Sequence, residues 1–244
     1  MSAWLDPRTR PLRWGLFLIG IAIVLVLTGP EAYRTVAMWL HREQSMLPWY
    51  ATRLFAFLSY FALAGSVIYG LMLSSKLLDR ITHRSVSFTL HQDLASIGLG
   101  LGIVHAALLT LDGSVPYSLT DLLVPFAGPY RPLWVGIGQL AGYLTLVIVL
   151  SYSVRRRIGL RAWRTLHYAT FLIFVGSTVH GLMSGTDTSA PWAFWSYLGA
   201  SGIVAFLFAY RVMSVAPGAR RFDLAHLRRV RPSTEVAAFY RDER

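Results

Sequence analysis

The 244-residue chain has no cysteine. That excludes disulfides, thiolate-held iron–sulfur clusters and covalent c-type haem attachment. Charge is scarce as well: Asp, Glu, Lys and Arg together make up 14% of the residues, and only 12 of them are acidic. There is no Walker loop and no GxGxxG between a strand and a helix. No extramembrane segment is long enough to form a flavin domain. Any chemistry is therefore expected inside whatever the apolar residues build.

Those apolar residues dominate, at 55% of the chain with a mean hydropathy of +0.48, which is a membrane composition. Mostly apolar runs recur at residues 12–29, 54–74, 93–111, 132–152, 166–184 and 192–213. Each is long enough to cross ~30 Å of hydrocarbon as a helix. None alternates with period two, so a helical bundle is favoured over a barrel. The expected fold is an all-α, six-transmembrane-helix bundle, with a short N-terminus (1–13), a bundle (14–213) and a basic tail (214–244). Arg8, Arg10 and Arg13 precede the first run, but "LTGPEAYRT" after it has no small-x-small cleavage pattern, so that run is expected to be a retained helix rather than a signal peptide.

A formal charge of +11 raises nucleic acid as a partner, and its distribution argues against one. With six spans, one side holds Arg8, Arg10, Arg13, Lys76, Arg80, Arg84, Arg155, Arg156, Arg157, Arg161, Arg164 and the eight arginines from Arg211 onward. The opposite side holds Arg34, Arg42, Arg53 and Arg131. This is the positive-inside pattern of a multi-pass protein of the cytoplasmic membrane, with both termini cytoplasmic. The arginine-rich end is called inner below. Residues 112–131, with Tyr117 and Tyr130, read as an ordered outer cap. The stretch "ARRFDLAHLRRVRP" in the tail reads as a basic amphipathic segment on the inner leaflet.

Four of the seven histidines fall within spans or at their edges: His91 and His105 in the third, His167 and His180 in the fifth. Ionisable side chains at membrane depth are costly and are usually paired or functional. Fourteen residues place His91 and His105 ~40° apart around a helix and ~21 Å apart along it, one face at two depths. The third and fifth spans run the same way, which pairs His91 with His167 near the inside and His105 with His180 near the outside. Neutral imidazoles from facing helices can clamp a haem iron. Two such pairs suit two stacked haems with no open iron position, so electron transfer is the expected chemistry. The thirteen-residue step from His167 to His180 resists this, because it turns ~140° on an ideal helix. A bend near "VGST", 175–178, at Gly176 is expected to absorb it.

Other features are weaker. Gly98 and Gly102 form a GxxxG step, read as close helix packing or as room for a porphyrin face. Arg84, Arg161 and Arg164 at the inner edge, and Arg53 and Arg131 at the outer edge, are candidate partners for haem propionates. Trp163 reads as an interfacial anchor. His41, His83 and His226 read as solvent or headgroup residues.

The spacing of His91, His105, His167 and His180 on the third and fifth of six helices, together with "RIGLRAWRTLHYATFLIFVGSTVHGL" at 157–182, resembles the ferric reductase-like transmembrane domain. Ferric reductases, NADPH oxidases and the haem subunit of a bacterial methionine sulfoxide reductase system share that domain. The resemblance covers residues 14–213. It implies that His91 and His167 hold an inner b-type haem and His105 and His180 an outer one, and that the thirteen-residue step is a family trait. Ferric reductases and NADPH oxidases continue into FAD and NADPH domains, and the expectation here is a subunit without its own. The expectation is an oxidoreductase-type electron-transfer subunit with two non-covalent b-type haems. A separate flavoprotein, carrying FAD and using NADPH, or a quinol would supply electrons to an outer acceptor. Service to a periplasmic methionine sulfoxide reductase is one alternative. A haem-free transporter or scaffold with a histidine path for protons or metal is another.

Overall fold

The computed structural model describes residues 46–79, 82–112 and 115–215, together with Arg34 and Met38. The first run, 12–29, the N-terminus, His41, Arg42 and the tail with His226 lie outside the described residues. Within them the chain is helical, with no strand. The helices are α1 (Leu47–Ser74), α2 (Arg84–Leu108), α3 (Leu119–Leu123), α4 (Pro132–Ile158), α5 (Leu160–Tyr168), α6 (Thr170–Ser184) and α7 (Pro191–Val215). Short 3-10 turns follow α2 (Leu109–Leu111) and precede α7 (Thr186–Ser189). Five helical stretches are long and apolar enough to cross a membrane: α1, α2 with its 3-10 turn, α4, α5 with α6, and α7. They coincide with the last five runs read from the sequence.

Local chemistry sets the helix ends. Proline stands in the first turn of α1 and α4, and Pro191 opens α7; there its missing N–H costs no hydrogen bond. α1 ends in a Schellman arrangement: Lys76 turns left-handed at φ 58°, its N–H reaches Leu73 O, and Leu77 N–H reaches Met72 O. Gly159, at φ 89°, ends α4 and opens α5 in a conformation that side chains disfavour.

α1 and α2 pack along most of their lengths through a regular seam. Thr52 Oγ1 donates to His105 O, Ser59 Oγ to Gly98 O and Ser66 Oγ to His91 O, at 2.9, 2.7 and 2.9 Å. Positions 52, 59 and 66 run in steps of seven against 105, 98 and 91, the antiparallel register of helices crossing at a shallow angle. The glycines make the approach possible: a Cβ on Gly98 would lie 2.7 Å from Leu63 Cγ, and one on Gly102 3.1 Å from Ser59 Oγ. The GxxxG step packs against α1, and both glycines also line a cavity toward the outer end.

Tyr60, Ala64 and Leu71 of α1, Phe174 of α6, and Tyr197, Ala200, Val204 and Leu207 of α7 form the main buried cluster. Leu172 and Phe206 are about 70% exposed (70% and 69%). Such apolar faces suit a bundle whose solvent is hydrocarbon. Residues 115–131 form a cap at the outer end. Ser118 and Asp121 close a capping box on α3. Gln139 Nε2 donates to Asp121 O and Leu122 O, and Tyr130 Oη to Ser184 O, tying the cap to the bundle.

Candidate functional site: two histidine pairs at two depths

α2 contributes His91 and His105 from one unbroken helix. His167 comes from the last turn of α5 and His180 from α6. The His91 and His167 ring centroids are 5.9 Å apart, and those of His105 and His180 are 6.3 Å apart. The other histidine within the described residues, His83, is exposed at the start of α2.

Three of the four rings are held through Nδ1. His91 Nδ1 lies 2.8 Å from Ser66 O, His105 Nδ1 2.9 Å from Thr52 O, and His180 Nδ1 3.0 Å from Trp134 O. A carbonyl accepts only, so each Nδ1 carries the proton and each Nε2 keeps its lone pair. The same carbonyls also serve their own helices, whose residues four positions on must then stay small beside the incoming ring. Ala56, Gly70 and Gly138 occupy those positions. A Cβ on Gly138 would sit 2.5 Å from the His180 ring, and one on Gly70 3.1 Å from His91 Cε1. His167 differs: its Nδ1 is buried without a hydrogen-bond partner, and its ring stacks on Trp163 at 5.0 Å and 20°. Trp163 lies half-buried against the inner pair, its own Nε1 buried without a partner.

The thirteen-residue step is absorbed at a different place from the one expected. Residues 175–178 are regular helix. The break is at Ala169, whose N–H bonds back three residues to Leu166 O at 3.0 Å. A 3-10 turn advances ~120° per residue rather than ~100°, so three such residues reduce a ~140° offset to ~80°. Gly176 faces α4 with room to spare, since a Cβ there would make ordinary contacts of 3.5 and 3.6 Å with Ile137 and Ala141. Thr178 does not open the helix because its hydroxyl bonds to Phe174 O of the preceding turn at 2.8 Å.

Each pair lines a cavity. Both are open at one side, and the outer one is the larger. Tyr60, Leu63, Thr145 and Ser177 line both cavities. The donor set and its spacing agree with a haem. Metal–imidazole bonds of ~2.0 Å, with nitrogen ~1.1 Å from the ring centroid, put two imidazoles on opposite sides of one metal at centroids ~6 Å apart. A porphyrin supplies four ligands and leaves two positions, whereas two imidazoles leave a bare tetrahedral ion two ligands short. Among the described residues no group of three or more His, Asp or Glu side chains is placed to hold an ion.

The arginines are placed unequally. Arg53 pairs with Asp187 in the 3-10 turn and stacks over Trp49 at 3.9 Å, beside the outer cavity. Arg131, left-handed at φ 41°, donates to Met183 O and lies over Tyr130 at 5.3 Å. Arg84 lies 3.7 Å from Asp79. Arg161 and Arg164 are exposed on α5. Arg53 and Arg131 thus already have protein partners that a propionate would have to join or displace.

Comparison of the chain with protein-family models, with curated proteins and with solved structures gives no match.

Proposed function

We propose that the protein is a di-haem b-type cytochrome of the ferric reductase-like kind, carrying electrons across the cytoplasmic membrane through a six-helix bundle with both termini inside. His91 and His167 would hold the inner haem, and His105 and His180 the outer one. The observation that carries this reading is the matched spacing of the two pairs, 5.9 and 6.3 Å between ring centroids. Each haem, when bound, would supply one-electron redox chemistry. The chain's own part is to hold the rings, keep Nε2 free of protons at His91, His105 and His180, and surround both centres with apolar walls. The vertical step of ~21 Å along α2 sets the two centres at two depths of one membrane.

The reading assigns the electron supply to a separate flavoprotein or quinol at the inner side. The acceptor is placed beyond the cap, whether a soluble reductase subunit or ferric iron. In proteoliposomes loaded with haem-replete protein, an inner reductant should reduce ferricyanide held on the other side of the bilayer. His105→Leu should abolish that transfer together with one haem's absorbance. Unchanged absorbance in His105→Leu, with altered proton or metal flux, would replace this reading with the haem-free transporter.

A further inference from the structure

The four rings form a graded series in what faces Nδ1. His91 has a carbonyl and a hydroxyl: Ser66 O at 2.8 Å and Ser66 Oγ at 3.0 Å. His105 has the same pair from Thr52, at 2.9 and 3.0 Å. His180 has a carbonyl from Trp134 with no hydroxyl, and His167 has neither. Each α1 hydroxyl also contacts the backbone of the histidine it faces, Ser66 Oγ to His91 O and Thr52 Oγ1 to His105 O, both at 2.9 Å. With its one proton committed to that carbonyl, the hydroxyl can meet Nδ1 only as an acceptor. Nδ1–H is thus shared between two oxygens of one residue, and the ring is fixed in both tautomer and rotation.

From this we infer that Thr52 and Ser66 are positioning residues, and that α1 tunes the two α2 histidines through their Nδ1 atoms. The inference rests on the haem reading above. An acceptor at Nδ1 draws the proton outward, enriches Nε2 and makes the imidazole a stronger donor, as outer-shell partners of metal-bound histidines do. A stronger donor favours the oxidised metal, so losing the hydroxyl should raise the midpoint potential of the haem it serves. The seam contains its own control. Ser59 Oγ makes the same kind of bond to Gly98 O at 2.7 Å, halfway between the two histidines, with no ring attached.

The test is a spectropotentiometric titration of the haem-loaded protein and its variants. Ser66→Ala should raise one midpoint only and Thr52→Val the other only. Ser66→Thr and Thr52→Ser should stay near the parent values, and Ser59→Ala should move neither. Loss of a haem in Ser66→Ala with retention in Ser66→Thr would also uphold the role. Loss in both would mean packing alone and overturn it. Two haems with unmoved midpoints in Ser66→Ala and Thr52→Val would overturn it while leaving the cytochrome intact. If the parent protein loads no haem, the cytochrome reading itself fails. The ring is then read from ¹⁵N and ¹H shifts of labelled histidine: Nδ1 protonated at His91 and His105, with the Nδ1–H resonance moved in Ser66→Ala at His91 alone and in Thr52→Val at His105 alone, upholds the role, and unmoved resonances overturn it.

Discussion

The inner and outer histidine pairs have nearly equal ring separations but are built differently. In the outer pair both rings donate to backbone carbonyls of neighbouring helices, Thr52 O and Trp134 O. A tied-down cap lies over that end, and the cavity is the larger of the two. In the inner pair only His91 is so held. His167 sits two residues before the break at Ala169 and leans on Trp163 rather than on a hydrogen bond. The spacing of a histidine pair and its rigidity are therefore separate properties. The first comes from helix register, the second from what faces the other ring nitrogen. A ring without that anchor reorients at lower cost, so the inner centre should be the looser of the two.

The largest effects come from the rings themselves. His180→Leu or His91→Leu should each lower bound haem from two per chain to one, read by haem extraction against protein concentration. The asymmetry adds an order of events: on gradual heating in detergent, haem should leave the inner site before the outer one. Simultaneous loss would erase the distinction drawn between the pairs.

Glycine substitutions sharpen it next. Gly138→Ala puts a Cβ 2.5 Å from the His180 ring, against 3.1 Å for Gly70→Ala at His91. Overpacking of the closer kind costs ~1–3 kcal/mol. Gly138→Ala should therefore weaken outer haem retention markedly, and Gly70→Ala should alter the inner site less. Equal effects would mean that the two rings have equal freedom to yield.

A smaller effect is expected at the outer edge. Asp187 is 15% exposed and Arg53 25% exposed, so removing one partner strands a partly buried charge. Asp187→Asn should lower stability by about 1–2 kcal/mol, seen as an earlier thermal transition, with the inner haem spectrum unchanged.

The smallest effect concerns the cap. Hydrogen bonds from the Ser118 hydroxyl and backbone N–H hold the Asp121 carboxyl below its ordinary value of 3.8. A depressed carboxyl stabilises the fold above its unfolded value, and that contribution is lost as pH falls through the folded value. Hydrogen exchange at residues 118–123, corrected for its intrinsic pH dependence, should show protection falling once pH drops below about 4. Asp121→Asn should remove that dependence.

Much of this arrangement was legible in the sequence. The five described spans were plain from run length, and the His91 and His105 positions followed from one regular helix. The placement of His180 opposite His105 was less secure, because it depended on where helix geometry fails. Gly176 and two hydroxyls suggested a bend at 175–178, but in a low-dielectric helix a hydroxyl such as that of Thr178 bonds back to its own preceding turn, and a glycine permits a bend without requiring one. The break at Ala169 has no such marker. Trp163 was read for its amphipathic ring, with no means of seeing that it stacks on His167. The anchoring carbonyls are backbone groups and leave no mark of identity. Their only trace is the small residue four positions on, at 56, 70 and 138. The hydroxyl seam did leave a signal, Thr52, Ser59 and Ser66 in steps of seven opposite His91, Gly98 and His105, visible only once α1 and α2 are set antiparallel.

The proposed clamping of one haem by each histidine pair underlies the haem predictions above. Its most direct test is a reduced-minus-oxidised absorbance spectrum of protein purified from haem-replete cells, with haem quantified per polypeptide. Two non-covalent b-type haems per chain, both low-spin in the oxidised state, are expected. No haem, in protein shown to be folded and membrane-inserted, would contradict that clamping.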